Sequence, residues 1–392
     1  MFIGIFIIVL IGYFALNYYI IRRGYKFLPE YKTFKIFYLL ITIFFALAFI
    51  VGKIVEHHWF SGLSVILIWI GAIWLGALLY LSLCLMIIDF IGYILKVSPE
   101  LRKKVVERLT SVKYPLVVII LILTSIILYN GYKNALSPST TYIEVNIDKK
   151  TTLDSLNLVA VSDLHLGAIM NRSRLETIVS KINACKPDAV VLVGDIVDDN
   201  LEPVIRENTG YLLSTIEALY GVYAVTGNHE FYGDVDAITQ YLRSNRVKVL
   251  RDSVAQIFSD IYLIGREDTQ YEMDTSEQRK SLNTLLDGID RKSPLILLDH
   301  KPDNLDQARA NGIDLQISGH THHGQLWPLN LITEMLYEKS WGYMRKGDTH
   351  YYISCGIGTW GPPMRIGNQP EIVNIMLRFG QYDRIAPDRN IK

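Results

Sequence analysis

Five short apolar runs in the second part of this 392-residue chain end in side chains that bind metal ions or move protons. The side chains that follow these runs are Asp163, His165, Asp195, Asn228, His229, His300, His320 and His322. Carboxylates, an amide oxygen and imidazoles form a mixed donor set, which favours Mn, Fe or Zn over Ca, because Ca prefers oxygen ligands. Five of the seven histidines in residues 137–392 lie in these motifs, so one shared site explains them better than separate roles.

The spacing within two motifs supports a shared site. Asp163 and His165 are two positions apart after an apolar run, and His320 and His322 repeat that spacing. On an extended segment, side chains two positions apart project to the same side. Each pair is therefore predicted to present two ligands in one direction.

Glycines accompany three of the motifs, at Gly194, Gly227 and Gly319. Glycine permits a sharp exit from strand to loop. On the turn after Gly227, the adjacent Asn228 and His229 are not expected to aim both side chains at one ion, so one of them is free to face a substrate.

The elements that must position these residues alternate between strand and helix. Apolar runs of strand length cover residues 156–162, 189–193, 222–226, 261–264, 295–298, 315–318, 351–354 and 372–377. Segments of helical period cover residues 174–185, 203–219, 236–244, 281–287 and 303–310. This alternation predicts an α/β domain with helix-covered sheets, and such sheets place their sites beyond the carboxyl ends of the strands.

The first third of the chain has a different character. Residues 2–21, 36–52, 63–88 and 114–132 are apolar and uncharged. A membrane-spanning helix needs roughly 17–25 such residues, so four spans are predicted. Nothing basic precedes the first stretch, which argues against a cleaved signal peptide.

Charge separates the two parts as well. Residues 1–136 contain 13 Lys and Arg against 5 Asp and Glu, and the remainder contains 26 against 34. The loops between the predicted spans contain five, one and six basic residues in turn, so the positive-inside rule predicts the large C-terminal part on the extracytoplasmic side. An acidic larger part argues against nucleic-acid binding, and three cysteines form no disulfide framework.

The ordered set Asp-x-His, Gly-Asp, Gly-Asn-His-Glu, His and Gly-His-x-His resembles the calcineurin-like metallophosphoesterase family over residues 156–379. The closing stretch, with Pro363, Arg365, Pro370 and Glu371, is similar to the membrane-associated bacterial branch. The resemblance implies an α-helical membrane domain followed by an α/β domain of two facing mixed β-sheets flanked by helices. The predicted boundaries are 1–136 for the membrane region, 137–155 for a linker and opening strand, 156–380 for the catalytic domain and 381–392 for a tail.

The resemblance also implies a role for each motif residue. It assigns a first metal to Asp163, His165 and His322, a second metal to Asn228, His300 and His320, a bridging position to Asp195 and the substrate phosphoryl group to His229. Two residues depart from the branch pattern. His323 replaces a usual glycine and either touches the substrate, adds a ligand or is an exposed rim residue, and Asp299 is placed to orient a metal-bound His300.

Three acidic residues near the motifs have open roles. Asp198 and Asp199 follow the bridging position, and either one of them supports the site or both are acids at a helix N-terminus. Glu230 is placed to support the loop of its neighbour.

The function implied is a membrane-anchored hydrolase of phosphoesters or phosphoanhydrides. Two divalent ions would activate a water for attack on phosphorus, and His229 would protonate the leaving oxygen. The substrate is either a lipid phosphate, a lipid diphosphate or a UDP-acyl-sugar in the bilayer, or a soluble phosphoester. A sensor that binds a phosphorylated ligand without turnover is a further alternative, against which His229 and the bridging Asp195 argue.

Overall fold

The computed structural model describes residues 2–94, 113–258 and 260–380. Its contacts divide the chain into two units. The helical unit contains Met1–Lys133 together with Gly361–Ile366, and the α/β unit contains Asn134–Trp360 and Gly367–Lys392.

Four long helices dominate the described part of the helical unit. They are α1 (Phe2–Phe27), α2 (Lys32–His58), α3 (Gly62–Ile94) and α4 (Lys113–Ala135). Each is long and apolar enough to cross a membrane, and each extends beyond the predicted apolar stretch. The basic residues predicted for the first loop therefore lie on the ends of α1 and α2. Five of the six basic residues predicted for the third loop lie outside the described residues.

The helical unit also contains one segment from far along the sequence. In Gly361–Ile366, the amide of Arg365 donates to the carbonyl oxygen of Gly131 in α4 at 2.9 Å. A side chain at Gly76 in α3 would meet the sulfur of Met364 at 2.7 Å. The glycines of α3 and α4 thus leave room for this segment against the helices.

Two six-stranded mixed sheets form the centre of the α/β unit. The first sheet contains, in spatial order, β1 (Ser139–Ile147), β12 (Glu371–Phe379), β2 (Ser155–Val161), β3 (Ala189–Val193), β4 (Val222–Val225) and β5 (Val247–Val249). The second sheet contains β10 (Gly342–Lys346), β11 (Thr349–Ile353), β9 (Leu315–Ser318), β8 (Leu295–Leu298), β7 (Ile261–Gly265) and β6 (Ser253–Phe258). Strands β2 to β5 are parallel, as are β7, β8, β9 and β11, whereas β12 runs antiparallel to β2.

Helices connect and cover these strands. They are α5 (Arg172–Ala184), α6 (Leu201–Arg206), α7 (Thr209–Ser214), α8 (Asn228–Tyr232), α9 (Val235–Ser244), α10 (Gln270–Thr275), α11 (Leu282–Leu285), α12 (Asp306–Ala310) and α13 (Asn330–Leu336). Asn171 caps α5, since its side chain accepts a hydrogen bond from the amide of Arg174.

Three buried clusters hold the layers together. Leu158 and Val191 of the first sheet share a core with Leu298 and Ile317 of the second, so the two sheets face each other. Val159, next to Leu158, packs instead into a core with the helices on the outer side of its sheet. This alternation follows from the two-residue period of a strand. A third cluster covers the outer side of the second sheet.

The fold agrees with the predicted class of two facing mixed sheets flanked by helices. The strands at 189–193, 295–298 and 315–318 have the predicted bounds. The single helix predicted over 203–219 is wrong. It is two short helices, because Asn208 adopts a left-handed conformation (φ 50°) that a continuing helix does not allow.

Candidate metal centre

The predicted site residues follow the carboxyl ends of five strands. Asp163 and Asp195 come after β2 and β3, and Asn228 comes after β4 in the same sheet. His300 and His320 come after β8 and β9 in the second sheet. Parallel strands align their carboxyl ends at one edge, so these residues meet across the two sheets.

Asp163, His165 and His322 form the first group of potential metal ligands. One ligand atom from each lies within 4.8 Å of the other two. The Nε2 atoms of His165 and His322 are 3.0 Å apart, and His322 Nε2 lies 3.5 Å from an oxygen of Asp163. The three side chains therefore converge on one point.

Asp195 links this group to a second one. Asp195, His300 and His320 have ligand atoms within 4.8 Å of one another, and so do His165, Asp195 and His229. His300 Nε2 lies 3.0 Å from Asp195 Oδ2, and His165 Nε2 lies 3.9 Å from the same oxygen. A carboxylate shared in this way can bridge two cations.

Asn228 contributes a buried amide oxygen. Its Oδ1 has no hydrogen-bond partner among the described residues. A buried polar atom without a partner costs free energy, so a ligand is expected there. A divalent cation fits, because amide oxygens bind such ions.

The two carboxylates support the same conclusion. Asp163 and Asp195 are both buried, and within the described ranges neither forms an ion pair with a Lys or Arg. Buried carboxylates need compensating positive charge. The donor set and its charge therefore fit two divalent ions.

Hydrogen bonding fixes the orientation of His300. Its Nδ1 lies 2.7 Å from the carbonyl oxygen of Val193 and donates to it, so Nε2 faces Asp195. The hypothesis that Asp299 orients His300 is wrong. Asp299 accepts instead from Arg266 at 3.1 Å and Arg279 at 2.9 Å.

The pKa values of the two imidazoles in the second group, His300 and His320, are shifted in opposite directions. Burial opposes a charge on His300, but the carboxylates Asp195 and Asp163 outweigh it and raise its pKa to about 10. Burial, together with the positive charges of His300 and Lys301, holds the pKa of His320 well below its usual range. In Asp195, burial is outweighed by His300 and His229, which keep the pKa of its carboxyl well below the usual range. The site thus favours ionised Asp195 and neutral His320, the forms that bind metals, whereas His300 must release a proton to bind an ion.

Five of these residues have left-handed backbone conformations. Positive φ angles occur at Asp163 (55°), His165 (49°), Asp195 (50°), His320 (69°) and His322 (46°). The pairs Asp163–His165 and His320–His322 are therefore not on extended segments as predicted. Such conformations are strained for residues other than glycine, and they cluster at functional sites.

The glycines of the motifs have different roles from one another. Gly194 has a φ of 77° and permits the predicted sharp turn. Gly227 has an extended φ of −109°, so no left-handed turn requires it. A side chain at Gly227 would overlap Asp195, which shows that close packing beneath the shared carboxylate requires this glycine.

His229 lies beside the shared carboxylate with its ring in a distinct environment. Its amide donates to Asp195 Oδ1 at 2.9 Å, and its Nδ1 lies 2.7 Å from the carbonyl oxygen of Asp198. The rings of His165 and Trp360 flank it at 4.6 and 5.6 Å between centroids. Burial lowers the pKa of His229, but Asp195 and Asp198 outweigh it and raise the pKa to about 9.

Comparison with known proteins identifies the family. Residues 156–324 match the family described as Calcineurin-like phosphoesterase. The chain is 32% identical over 340 residues to a Danio rerio protein named transmembrane protein with metallophosphoesterase domain, and the alignment covers 82% of this chain and 75% of that protein. The chain is a calcineurin-like metallophosphoesterase. It is a metal-dependent phosphoester hydrolase with four apolar N-terminal helices.

One relative is similar to this phosphoesterase over almost its whole length, and one solved structure over about half of it. An uncharacterized metallophosphoesterase of Campylobacter jejuni is 29% identical over 382 residues, which cover 95% of this chain and 97% of that protein. Among solved structures, a 5'-nucleotidase precursor from Thermus thermophilus is 15% identical with a TM-score of 0.33, covering 57% of this chain and 55% of that chain.

The structure distinguishes the acidic residues whose roles were open. Asp198 Oδ1 lies 3.2 Å from His229 Nδ1 and 3.4 Å from His165 Nδ1, so Asp198 contacts two histidines of the centre. Glu230 accepts hydrogen bonds from four backbone amides: those of Asp195, Ile196, Val197 and Gly227, at 2.7–3.1 Å. Glu230 therefore fixes the loop that contains Asp195. The position of Glu230 in the Gly-Asn-His-Glu motif indicated its supporting role. No sequence pattern indicated which of Asp198 and Asp199 contacts the site.

His323 is outside all three groups of potential ligands. Its Nδ1 lies 3.0 Å from Ser340 Oγ, its Nε2 lies 3.6 Å from Glu334, and its ring is 5.2 Å from that of Trp341. Its side chain is only 13% exposed, so the interpretation as an exposed rim residue is wrong. His323 instead joins α13 to the motif that contains His320 and His322.

Proposed function

We propose that this phosphoesterase holds two divalent ions, Mn, Fe or Zn, and hydrolyses a phosphorylated substrate carried by the membrane. The observation behind the proposal is the position of Asp195, whose carboxylate lies near His165 of the first group and near His300 and His320 of the second. Asp163, His165 and His322 would hold one ion. Asn228, His300 and His320 would hold the other, with Asp195 between them. When bound, the ions would supply positive charge for the phosphoryl oxygens and lower the pKa of water.

Other residues of the chain orient the proposed ligands and donate a proton to the leaving group. Val193 keeps a proton on Nδ1 of His300, so Nε2 is the atom that would bind metal, and Glu230 fixes the loop of Asp195. His229 keeps its Nδ1 proton on Asp198, which leaves Nε2 to donate a proton to the leaving oxygen. The indole of Trp360 lies against this histidine and reduces its contact with water.

The substrate class is a lipid phosphate, a lipid diphosphate or a UDP-acyl-sugar. The support is the attachment of one hydrolase unit to four apolar helices, the last of which ends at Ala135, just before β1 begins at Ser139. The three residues between them span at most about 14 Å, so the α/β unit begins close to the end of this apolar helix.

An activity assay tests the reaction and the substrate class together. The purified full chain is incubated with Mn²⁺ and an aryl phosphate, a bis-aryl phosphodiester, a phosphatidic acid and a UDP-acyl-sugar in mixed micelles. We expect metal-dependent hydrolysis of an aryl compound and a higher kcat/KM for one of the lipids. Activity confined to water-soluble esters would contradict the lipid proposal and leave the reaction class intact.

We also propose that the α/β unit faces away from the cytoplasm, because the two loops on the predicted inner side contain five and six basic residues and the outer loop contains one. Alkaline phosphatase and a fluorescent protein, each fused after Lys392, report the side. Phosphatase activity without fluorescence is the expected result, and the reverse pattern would invert the orientation and restrict the substrates to cytoplasmic ones.

A further inference from the structure

The region beside the metal centre carries apolar side chains that face solvent. Six of them, which we call the apolar rim, are Trp327, Leu331, Ile332, Met335, Leu336 and Trp360. Met335 is 86% exposed and Leu336 73% exposed, and the other four are 52–55% exposed. Large contiguous apolar surfaces are uncommon on proteins that contact only water.

Helix α13 carries four of these residues on one face. Leu331 and Met335 are four positions apart, as are Ile332 and Leu336, so the two pairs form adjacent rows on the helix. On another side of the helix, Glu334 lies 3.6 Å from His323 in the protein. The helix therefore directs its charged contact toward the protein and its apolar face outward, the reverse of a helix that covers a core.

Residues at or next to the apolar rim contact the metal centre at two points. Gln325 and Trp360 are joined by two hydrogen bonds, from Gln325 Nε2 to the carbonyl oxygen at 3.1 Å and from the Trp360 amide to Gln325 Oε1 at 2.9 Å. The ring of Trp360 lies 5.6 Å from that of His229. Just after α13, the ring of Tyr337 lies 6.2 Å from that of His320.

Two features of the chain select the bilayer as the occupant. Only three residues separate Ala135, the end of the last apolar helix, from Ser139 at the start of β1. Trp360 directly precedes Gly361–Ile366, which belongs to the helical unit. The exposed face of α13 is uncharged, so insertion would depend on apolar burial and not on lipid charge.

We propose that the apolar rim inserts into the boundary between the headgroups and acyl chains of the bilayer, where it brings phosphorylated lipids to the metal centre. The insertion stands independently, and only the delivery of lipid rests on the proposed function. A lipid headgroup at this depth would lie next to His229 and His320 without leaving the membrane.

Photocrosslinking tests the insertion without any catalysis. The photoreactive residue benzoylphenylalanine is placed at Met335 in the full chain that also carries Asp195→Asn, and the protein is reconstituted into phosphatidylcholine nanodiscs. The matched control is the same residue at Leu219, an apolar side chain that is 76% exposed elsewhere on the α/β unit. After irradiation, mass spectrometry identifies the adducts.

We expect at least about tenfold more lipid adduct from position 335 than from position 219. An equal yield at the two positions would overturn the proposal. An adduct with a second copy of the chain in place of lipid would also overturn it, since the rim would then be a protein interface. Because the crosslinked protein is inactive by design, a failure of the proposed hydrolysis does not affect this result.

A kinetic comparison tests the delivery of lipid. The double variant Met335→Asp, Leu336→Asp is compared with Leu219→Asp, using phosphatidic acid in vesicles and a soluble aryl phosphate. For the double variant, we expect the ratio of vesicle to soluble kcat/KM to fall about tenfold, because charges resist insertion into an interface. For Leu219→Asp, the ratio should stay at the wild-type value. If the ratio of vesicle to soluble kcat/KM is unchanged in the double variant, delivery of lipid by the apolar rim is refuted, independently of the crosslinking result.

Discussion

Replacing His229 with alanine separates proton donation from metal binding. His229→Ala removes a ring whose Nδ1 is already bonded to the Asp198 carbonyl oxygen at 2.7 Å and whose amide, bonded to Asp195, is retained. The loop that contains Asn228 therefore keeps its backbone support. We expect both metal ions to stay bound while the rate falls.

The usual contribution of a general acid gives the expected size of the loss. Removal of a general acid costs 10²–10⁴-fold, which is about 2.7–5.5 kcal/mol of activation free energy. Asp198→Asn is a milder change, because Nδ1 of His229 keeps the main-chain acceptor and loses only the carboxylate at 3.2 Å. Because this carboxylate is an ion-pair neighbour and the hydrogen bond to the carbonyl oxygen is retained, we expect a smaller loss, roughly tenfold, which corresponds to about one pKa unit.

The assay compares two leaving groups on the full chain. An alkyl phosphate needs a proton on its leaving oxygen, whereas an activated aryl phosphate hardly does. The loss in His229→Ala should therefore be large for the alkyl ester and small for the aryl ester. His320→Ala is the matched control, since it removes a proposed ligand and should lower metal content and both rates together.

Metal analysis decides the outcome. If His229→Ala loses metal as His320→Ala does, then His229 is a ligand and the assignment of the proton donor is wrong. Equal losses for both leaving groups, with both ions retained, would show that His229 stabilises charge on the phosphoryl group and does not donate a proton.

Three further changes test other parts of the structure. Asp195→Asn removes the shared carboxylate, so we expect loss of metal by mass spectrometry and loss of activity with a preserved circular dichroism spectrum, and two bound ions with normal turnover would contradict the bridging role. Gly227→Ala forces a methyl group against Asp195, so the free energy of unfolding should fall by about 1–3 kcal/mol. In the control Gly167→Ala, the added methyl group meets its nearest neighbour at an ordinary 3.5 Å and the free energy of unfolding should change little, so equal melting temperatures for the two variants would refute the packing argument. Burial and then Arg345 lower the pKa of His350 to about 4, below the unfolded value near 6.5, so the stability that neutral His350 permits is present above pH 6.5 and is lost as the pH falls toward 4. His350→Gln should therefore reduce the change in melting temperature between pH 6.5 and pH 4, and an unchanged pH dependence would contradict this prediction.

The sequence predicted the convergence of the motif residues better than it predicted the elements around them. Each motif directly follows an apolar run, and strand ends of parallel sheets meet, so the convergence of Asp163, Asp195 and His300 required no long-range knowledge. The role of Asp299 was mispredicted because its partners, Arg266 and Arg279, lie 33 and 20 positions away and no local pattern connects them.

Two helices show why local patterns were insufficient. The segment 203–219 has a helical period throughout, but the left-handed conformation of Asn208 divides it, and tertiary packing decides that conformation. Helix α13 was not predicted, since no side chain caps its N-terminus at Leu329 and its apolar residues face outward. A rule that places apolar residues inside a protein does not find a helix of this kind.

The position of β12 determines when the α/β unit can be completed during synthesis. This last strand pairs with β1 on one side and β2 on the other, with Glu371 opposite Ser139. Because the ribosome adds about 5–20 residues per second, roughly 10–50 seconds separate the appearance of these two partners. Throughout that interval β1 and β2 both lack their neighbour, and each presents an open edge to other chains. A nascent chain that stops before Glu371 would therefore leave this gap unfilled, and a chaperone or protease at the membrane could recognise the incomplete protein by it.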